Sequence, residues 1–218
     1  MAKPKVTIYT DGACEPNPGP GGYGVVLQHQ SIKKTLHGGF RLTTNNRMEL
    51  LAAIKALEAL KDACEVSLYS DSKYLVDSMT GGKVERWKNN HWHINKTSRA
   101  SNVDLWERLL ALCQRHTVSF IWVKGHAGTP GNEEADSLSV EAMKQDNLGA
   151  DAVYEALNDY QDNLSPLKSK PPSSGGPKIK ITREGQPCRK CGTPVTKRAP
   201  KKRKFKEGQT YYFEFYFQ

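Results

Sequence analysis

Val6-Thr7-Ile8-Tyr9-Thr10-Asp11-Gly12 alternates apolar and polar residues with the period of two that a half-buried strand requires, and it stops at an Asp-Gly pair. Asn17-Pro18-Gly19-Pro20-Gly21-Gly22 follows as a turn, and Tyr23 to Gln28 resumes as a strand. A third strand is expected over about residues 33–40, so the chain opens as an antiparallel meander. The period then changes. Asn46 to Leu60 sets Leu50, Ala53, Ile54, Leu57 and Leu60 on one face of a helix. Val66 to Ser70 reads as a short strand ending at Asp71, and Lys73 to Met79 as a helix. Residues 81–101 read as irregular and basic. A helix capped by Asn102 or Asp104 runs to about Arg115, Thr117 to Val123 is the fifth strand, and a last helix starts near Gly131. Three strands, then helix-strand-helix-helix-strand-helix, predict an α/β fold. Its five-stranded mixed sheet would hold three antiparallel strands and then two parallel ones, flanked by helices.

Length and composition narrow the classes further. The 218 residues fit one or two domains, and 37% hydrophobic residues suffice for a core. No stretch approaches the roughly 20 apolar residues of a membrane-spanning helix. Met1-Ala2-Lys3-Pro4-Lys5 leads into a strand without the apolar region of a secretory signal. Cysteines at 14, 64, 113, 188 and 191 are odd in number and lack framework spacing, which suits a reducing, cytoplasmic compartment.

The net charge of +9 is unevenly placed. Residues 1–167 hold 18 Lys+Arg against 20 Asp+Glu, whereas residues 168–207 hold 14 against Glu184 and Glu207 alone. The expected organisation is a first domain over 1–147 and an acidic helical segment over 148–164. A Pro/Ser/Gly linker over 165–177 would lead to a basic C-terminal module over 178–218. So dense a basic tail suits a polyanion, nucleic acid above all; it also suits a solvated tail that only keeps the protein soluble.

Four acidic residues, Asp11, Glu49, Asp71 and Asp136, sit where strands end or helices begin. Singly, each has an ordinary structural reading: a turn at Asp11, a capping box from Asn46 to Glu49, an N-cap at Asp71, a helix-dipole partner at Asp136. Together they read differently. The carboxyl ends of neighbouring strands and the first turn of a crossover helix meet on one edge of such a sheet. Carboxylates crowded there repel unless a cation holds them. Oxygen-only ligands suit Mg²⁺ or Mn²⁺, and paired ions of that kind serve in-line displacement at a phosphodiester. The four acids point to a metal-dependent phosphodiesterase.

Five ordered blocks carry a family resemblance: Tyr9-Thr10-Asp11-Gly12-Ala13-Cys14; Asn17 to Gly24; Thr43-Thr44-Asn45-Asn46-Arg47-Met48-Glu49-Leu50; Ser70-Asp71-Ser72; and Trp122-Val123-Lys124-Gly125-His126-Ala127-Gly128, with Asn132-Glu133-Glu134-Ala135-Asp136 closing the set. Over about residues 4–145 the chain resembles type 1 ribonuclease H. The resemblance implies a Mg²⁺-dependent endoribonuclease that cuts the RNA strand of RNA–DNA hybrids, leaving 3′-hydroxyl and 5′-phosphate ends. Asp11 would bridge two Mg²⁺ ions, for which Mn²⁺ can substitute, with Glu49 and Asp71 on one and Asp136 on the other. His126 matches the family's mobile histidine, and Gly125 and Gly128 beside it suit that mobility. Cys14, Asn17, Asn45 and Asn46 would contact the minor groove and sugar hydroxyls, and Thr44 would belong to a phosphate pocket for the DNA strand. Ser72 departs from the Gln common in bacterial members and is left out of the site.

Lys83, Arg86, Lys88, Lys96 and Arg99 stand beside Trp87, Trp92, His91 and His93, opposed only by Glu85. Basic residues among aromatics suit a groove that tracks a strand, with Trp87 and Trp92 as substrate contacts. They also suit a helix pair with core tryptophans. The segment resembles the family's basic protrusion. In the tail, Cys188-Arg189-Lys190-Cys191 is half of a zinc-ribbon pattern with no second CxxC, so any zinc site is expected to be incomplete. Ala199-Pro200-Lys201-Lys202-Arg203-Lys204 also resembles a nuclear import signal. The expected partners are an RNA–DNA hybrid and nucleic acid on the tail, bound by a monomer away from membranes. Two other readings compete: a non-catalytic hybrid-binding module, which would lack a carboxylate, and DNA strand transfer or junction cleavage on a related fold.

Overall fold

The computed structural model describes residues 3–163, 197–198 and 216–217. Strands β1 (Lys5–Cys14), β2 (Gly19–His29), β3 (Ile32–Thr43), β4 (Glu65–Ser70) and β5 (Thr117–Trp122) form one sheet in the order β3-β2-β1-β4-β5. The β1–β2 and β2–β3 pairs are antiparallel, and β1–β4 and β4–β5 are parallel, as the change of period predicts. Interleaved with them are α1 (Asn45–Glu58), α2 (Lys73–Thr80), α3 (Lys83–Asn89), α4 (Val103–Arg115), α5 (Pro130–Met143) and α6 (Ala152–Asn163).

The faces of the sheet follow from the alternation along β1. A Cβ on Gly12 would stand 2.3 Å from the Glu49 amide nitrogen, so α1 crosses β1 there at a distance only glycine allows. Its neighbour Asp11 points to the opposite face, where Ser139 of α5 meets it. The core lies on the α1 side. Ile8, Leu50, Ile54, Leu68, Leu75 and Trp106 are fully enclosed there, each contributing roughly 2–3 kcal/mol of burial against the entropy of ordering the chain.

Several boundaries differ from expectation, each for a local reason. β1 runs through Asp11-Gly12 to Cys14 because β2 goes on pairing with it, Asp11 opposite Gly24 and Cys14 opposite Gly21. Thr44, not Asn46, caps α1, its hydroxyl accepting from the Arg47 amide. Nor is α1 buried on one face only: Arg47, Met48, Leu51, Ala52 and Ala56 are buried too, since it lies between the sheet and α4. Ser72, not Asp71, caps α2. Residues 83–89, read as irregular, form α3.

The acidic segment is helical, but its apolar positions do not seek the core. Val153 is 46% and Leu157 55% exposed. Polar contacts at its start anchor it instead. Asp151 takes two bonds from the buried Arg47 guanidinium at 2.6 and 2.8 Å and one from the Thr43 hydroxyl at 2.8 Å. Arg47 also grips Asp104 at 2.8 and 3.0 Å.

The chain divides into two units, Met1–Leu164 and Ser165–Gln218. In the second, β6 (Lys197–Arg198) pairs antiparallel with β7 (Tyr216–Phe217). The expected linker and the Cys188–Cys191 pair lie outside the described residues.

Candidate active site

The parallel register of β1 and β4 sets Thr10 opposite Ser70, so Asp11 and Asp71, each one residue further on, emerge side by side. Glu49 arrives from the first turns of α1, brought close by the Gly12 crossing. Asp11, Glu49 and Asp71 each offer a carboxylate oxygen within 4.8 Å of the other two. Asp136 lines the same cleft of about 500 Å³, together with Cys14, Asn45 and His126.

Crowding three acids in a buried place has an electrostatic cost, visible at two of them. Asp11 is 6% exposed, and burial pushes its carboxyl up to about 6. A hydrogen bond from Ser139 opposes that shift, and the charges of Asp71 and Asp136 reinforce it. Burial likewise holds Glu49 well above the ordinary carboxylate range, with Asp11 and Asp71 adding to the effect. The Oε2 atom of Glu49 is buried without a hydrogen-bond partner. A buried carboxylate with an oxygen left without a donor, in a cluster with two other carboxylates, is a place for a hard cation. The residues therefore fit a magnesium-type ion, which favours carboxylate oxygen and keeps part of its water.

The surrounding residues divide into rim and wall. His126 is exposed at the rim with a left-handed backbone (φ 52°), its Nδ1 4.0 Å from Asp136 Oδ2. A Cβ on Gly125 would stand 2.5 Å from Asp71 Oδ2. Gly128 does adopt a positive φ of 79°. Cys14 points its thiol at the carbonyls of Pro16, Gly19 and Thr43. Asn17, exposed, accepts from the Asn45 amide at 3.3 Å and so ties the β1–β2 turn to the start of α1. Thr44 is half-buried at its cap, and Asn46 is exposed beside it.

The tryptophans correct an expectation. Trp92 is 7% exposed and its indole N–H donates to Glu107 at 2.9 Å, so it belongs to the core and is not a substrate contact. Left-handed backbone at His91 and Trp92 turns the ring inward. Trp87 is half-buried, edge-on to Trp106 at 6.3 Å. Lys83, Arg86, Lys88, Lys96 and Arg99 remain exposed around them. Ser72 is buried at its cap, its hydroxyl accepting from the Leu75 amide.

Three contacts to the acids were not anticipated. The side-chain amide of Asn132, 2% exposed, donates to Asp71 Oδ2 at 3.5 Å. Ser139 donates to Asp11, and the Trp122 indole N–H donates to the main-chain carbonyl of Asp71 at 3.2 Å. Asn132, Asp136 and Ser139 are spaced four and three apart, which places them on one stripe of α5. That spacing is the signal from which the first and third could have been found.

The RNase H family model matches residues 3–144. A ribonuclease H of Syntrophus aciditrophicus (strain SB) is 60% identical over 150 residues, spanning 69% of this chain and 87% of that protein. A ribonuclease HI of Synechocystis sp. is 51% identical over 140 residues, 64% of this chain and 88% of its own length. Among solved structures, LC9-RNase H1, described as a type 1 RNase H with the type 2 active-site motif, superposes with a TM-score of 0.61 at 30% identity, covering 72% of this chain and 82% of that one. The fold, the gathered acids and these matches agree: the chain belongs to the RNase H family.

Proposed function

We propose that this protein is an endoribonuclease that hydrolyses the RNA strand of RNA–DNA hybrids, using divalent ions held by Asp11, Glu49, Asp71 and Asp136. The observation that carries the reading is the gathering of Asp11, Glu49 and Asp71, each with a carboxylate oxygen within 4.8 Å of the other two, and Glu49 also has a buried oxygen without a hydrogen-bond partner. Mg²⁺, or Mn²⁺ in its place, would supply Lewis acidity there: it would activate a water and offset charge on the departing 3′-oxygen.

The remaining work falls to the chain itself. Asn132 and Trp122 hold Asp71 from two directions, by its carboxylate and by its main-chain carbonyl. His126, exposed and beside Asp136, is placed to carry a proton between the cleft and solvent. Cys14, Asn17, Asn45 and Asn46 offer short polar groups on fixed turns beside the acids, suited to sensing a 2′-hydroxyl in a shallow groove. Thr44 would contribute to a phosphate pocket, and the exposed basic residues of 83–99 would follow the DNA strand.

The chain is further proposed to act as a monomer with a catalytic body up to residue 147. The acidic helix and linker would join that body to a basic module that adds sequence-independent affinity. Cys188 and Cys191 would bind zinc only incompletely, so one tightly held zinc ion per monomer would contradict this part. The central experiment offers labelled RNA–DNA, RNA–RNA and DNA–DNA duplexes with Mg²⁺ or with chelator. Only the RNA strand of the hybrid is expected to be cut, and only with Mg²⁺. Efficient cutting of DNA–DNA would overturn the proposal.

A further inference from the structure

Ser139 is a fully buried hydroxyl whose place ordinary helix packing does not explain. It lies three residues after Asp136, one turn along α5, at 0% exposure. Its Oγ stands 2.8 Å from the Asp136 carbonyl and 2.5 Å from Asp11 Oδ2. The first contact is the usual resting place of a helical serine, bonded back to its own helix. The second is not. Asp11 belongs to β1, 128 residues earlier, and is the central acid of the cluster.

A hydroxyl has one proton to give. Between a peptide carbonyl and a buried, crowded carboxylate, the charged acceptor makes the stronger bond. The proton therefore goes to Asp11, and α5 acts on the cluster at three points: Asp136 contributes an acid to the cleft, Asn132 donates to Asp71, and Ser139 restrains the acid contributed by β1. A carboxylate with one oxygen restrained keeps a fixed rotamer. It presents its other oxygen in one direction instead of sampling several, and this loss of freedom is met during folding, before any ion binds.

We infer that Ser139 is a positioning residue that pre-orients the Asp11 carboxylate for divalent-cation binding through a hydrogen bond from α5, which packs on the face of the sheet to which Asp11 points. The inference rests on the reading of the cluster as a metal site. The other buried donor of α5, Asn132, is engaged at Asp71 and not at Asp11. Ser137 bonds back to Glu133 on the exposed side of the helix, and Ala135 and Ala142 have no donor to offer.

The test titrates Mn²⁺ into the full-length protein by calorimetry, and measures kcat and KM on a hybrid at saturating and limiting metal. The wild type, Ser139→Ala, Ser139→Cys and Ser137→Ala are compared. Loss of a hydrogen bond to a charged group predicts Mn²⁺ affinity lower by roughly tenfold in Ser139→Ala. At limiting metal its kcat falls, while KM for the hybrid and activity at saturating metal change little. Ser139→Cys keeps the volume and a weaker donor, so it should fall between, and Ser137→Ala should match the wild type. A role confined to packing would change thermal stability but not Mn²⁺ affinity in a folded variant. Should Ser139→Ala fail to fold, Ser139→Cys is judged by the same criterion. Wild-type Mn²⁺ affinity in a folded Ser139 variant overturns the inference. A wild type that binds no Mn²⁺ would instead overturn the metal-site reading beneath it.

Discussion

The indole N–H of Trp122 donates to the main-chain carbonyl of Asp71 across 3.2 Å, and the ammonium of Lys73 sits 5.1 Å from the centre of the same ring. A tryptophan left 44% exposed at a strand end is thereby fixed on both sides of the turn that carries an acid of the cluster. Trp122→Phe keeps a smaller aromatic ring beside Lys73 but removes the donor. It should lower kcat by about fivefold, the worth of one hydrogen bond, with little change in thermal midpoint. Steady-state kinetics beside a melting curve checks this, and an unchanged kcat would deny the ring its positioning role.

Metal-free protein should reveal the strain of the acid cluster through pH. Asp11 titrates near 6 when folded against about 3.9 for a free side chain, and Glu49 is displaced in the same direction. The folded state thus holds protons that the unfolded state has released. Stability from these groups is complete below about pH 4 and is lost as pH rises through about 6. Asp11→Asn escapes that loss. With chelator present, its stability advantage over the wild type should open between pH 4 and pH 7 and reach about 3 kcal/mol. Urea melts across that range are the measurement; a gap that does not widen with pH contradicts it.

Mg²⁺ should narrow the same gap. A cation that binds only the folded wild type stabilises it by mass action, about 2.7 kcal/mol at one hundred times its dissociation constant. Asp11→Asn should gain far less and should cleave no hybrid. Equal thermal shifts in both proteins would place the cation elsewhere.

Asp151 is the joint between α6 and the body. Asp151→Ala leaves the Arg47 guanidinium, 3% exposed, without its closest partner, and Asp104 alone cannot satisfy it. Removing one side of a buried pair costs about 3–5 kcal/mol. Chemical denaturation should show a loss of that size, together with proteolytic sensitivity near residue 150. A loss below about 1 kcal/mol would mean that solvent replaces the carboxylate.

Deleting residues 165–218 should leave turnover near that of the full chain while weakening hybrid binding and flattening its salt dependence, since 14 basic side chains leave with the tail. An unchanged slope of log affinity against log salt would remove the tail from the binding surface.

The sheet and the four acids were legible because both announce themselves in local pattern. Period-two alternation marked β1, β2, β4 and β5; Asp71 follows directly on β4, Asp11 precedes the Gly12 that lets α1 cross, and Glu49 lies near the start of the helical period. Partners across the fold were not legible. Ser139 and Asn132 are small polar residues within a helix, and their meaning depends on α5 lying on the Asp11 side of the sheet, which no local signal encodes. Trp92 misled for a related reason. Among basic neighbours it looked like a surface ring, but two left-handed residues and Glu107, fifteen positions away, draw it inward. Ser72, Thr44 and Asn46 show the limit of capping rules: several residues near each helix start could cap, and tertiary approach selects one.

β1 does not end at Asp11 but continues to Cys14, paired rung by rung with β2 up to Gly21. Cys14 is therefore geared to Asp11 at a separation counted in whole peptide units, and Asn17 beyond it is held by the Asn45 amide. On the proposed function, a hybrid resting on the tip would be gauged against the cleft by that ladder, a ruler whose graduations are backbone hydrogen bonds.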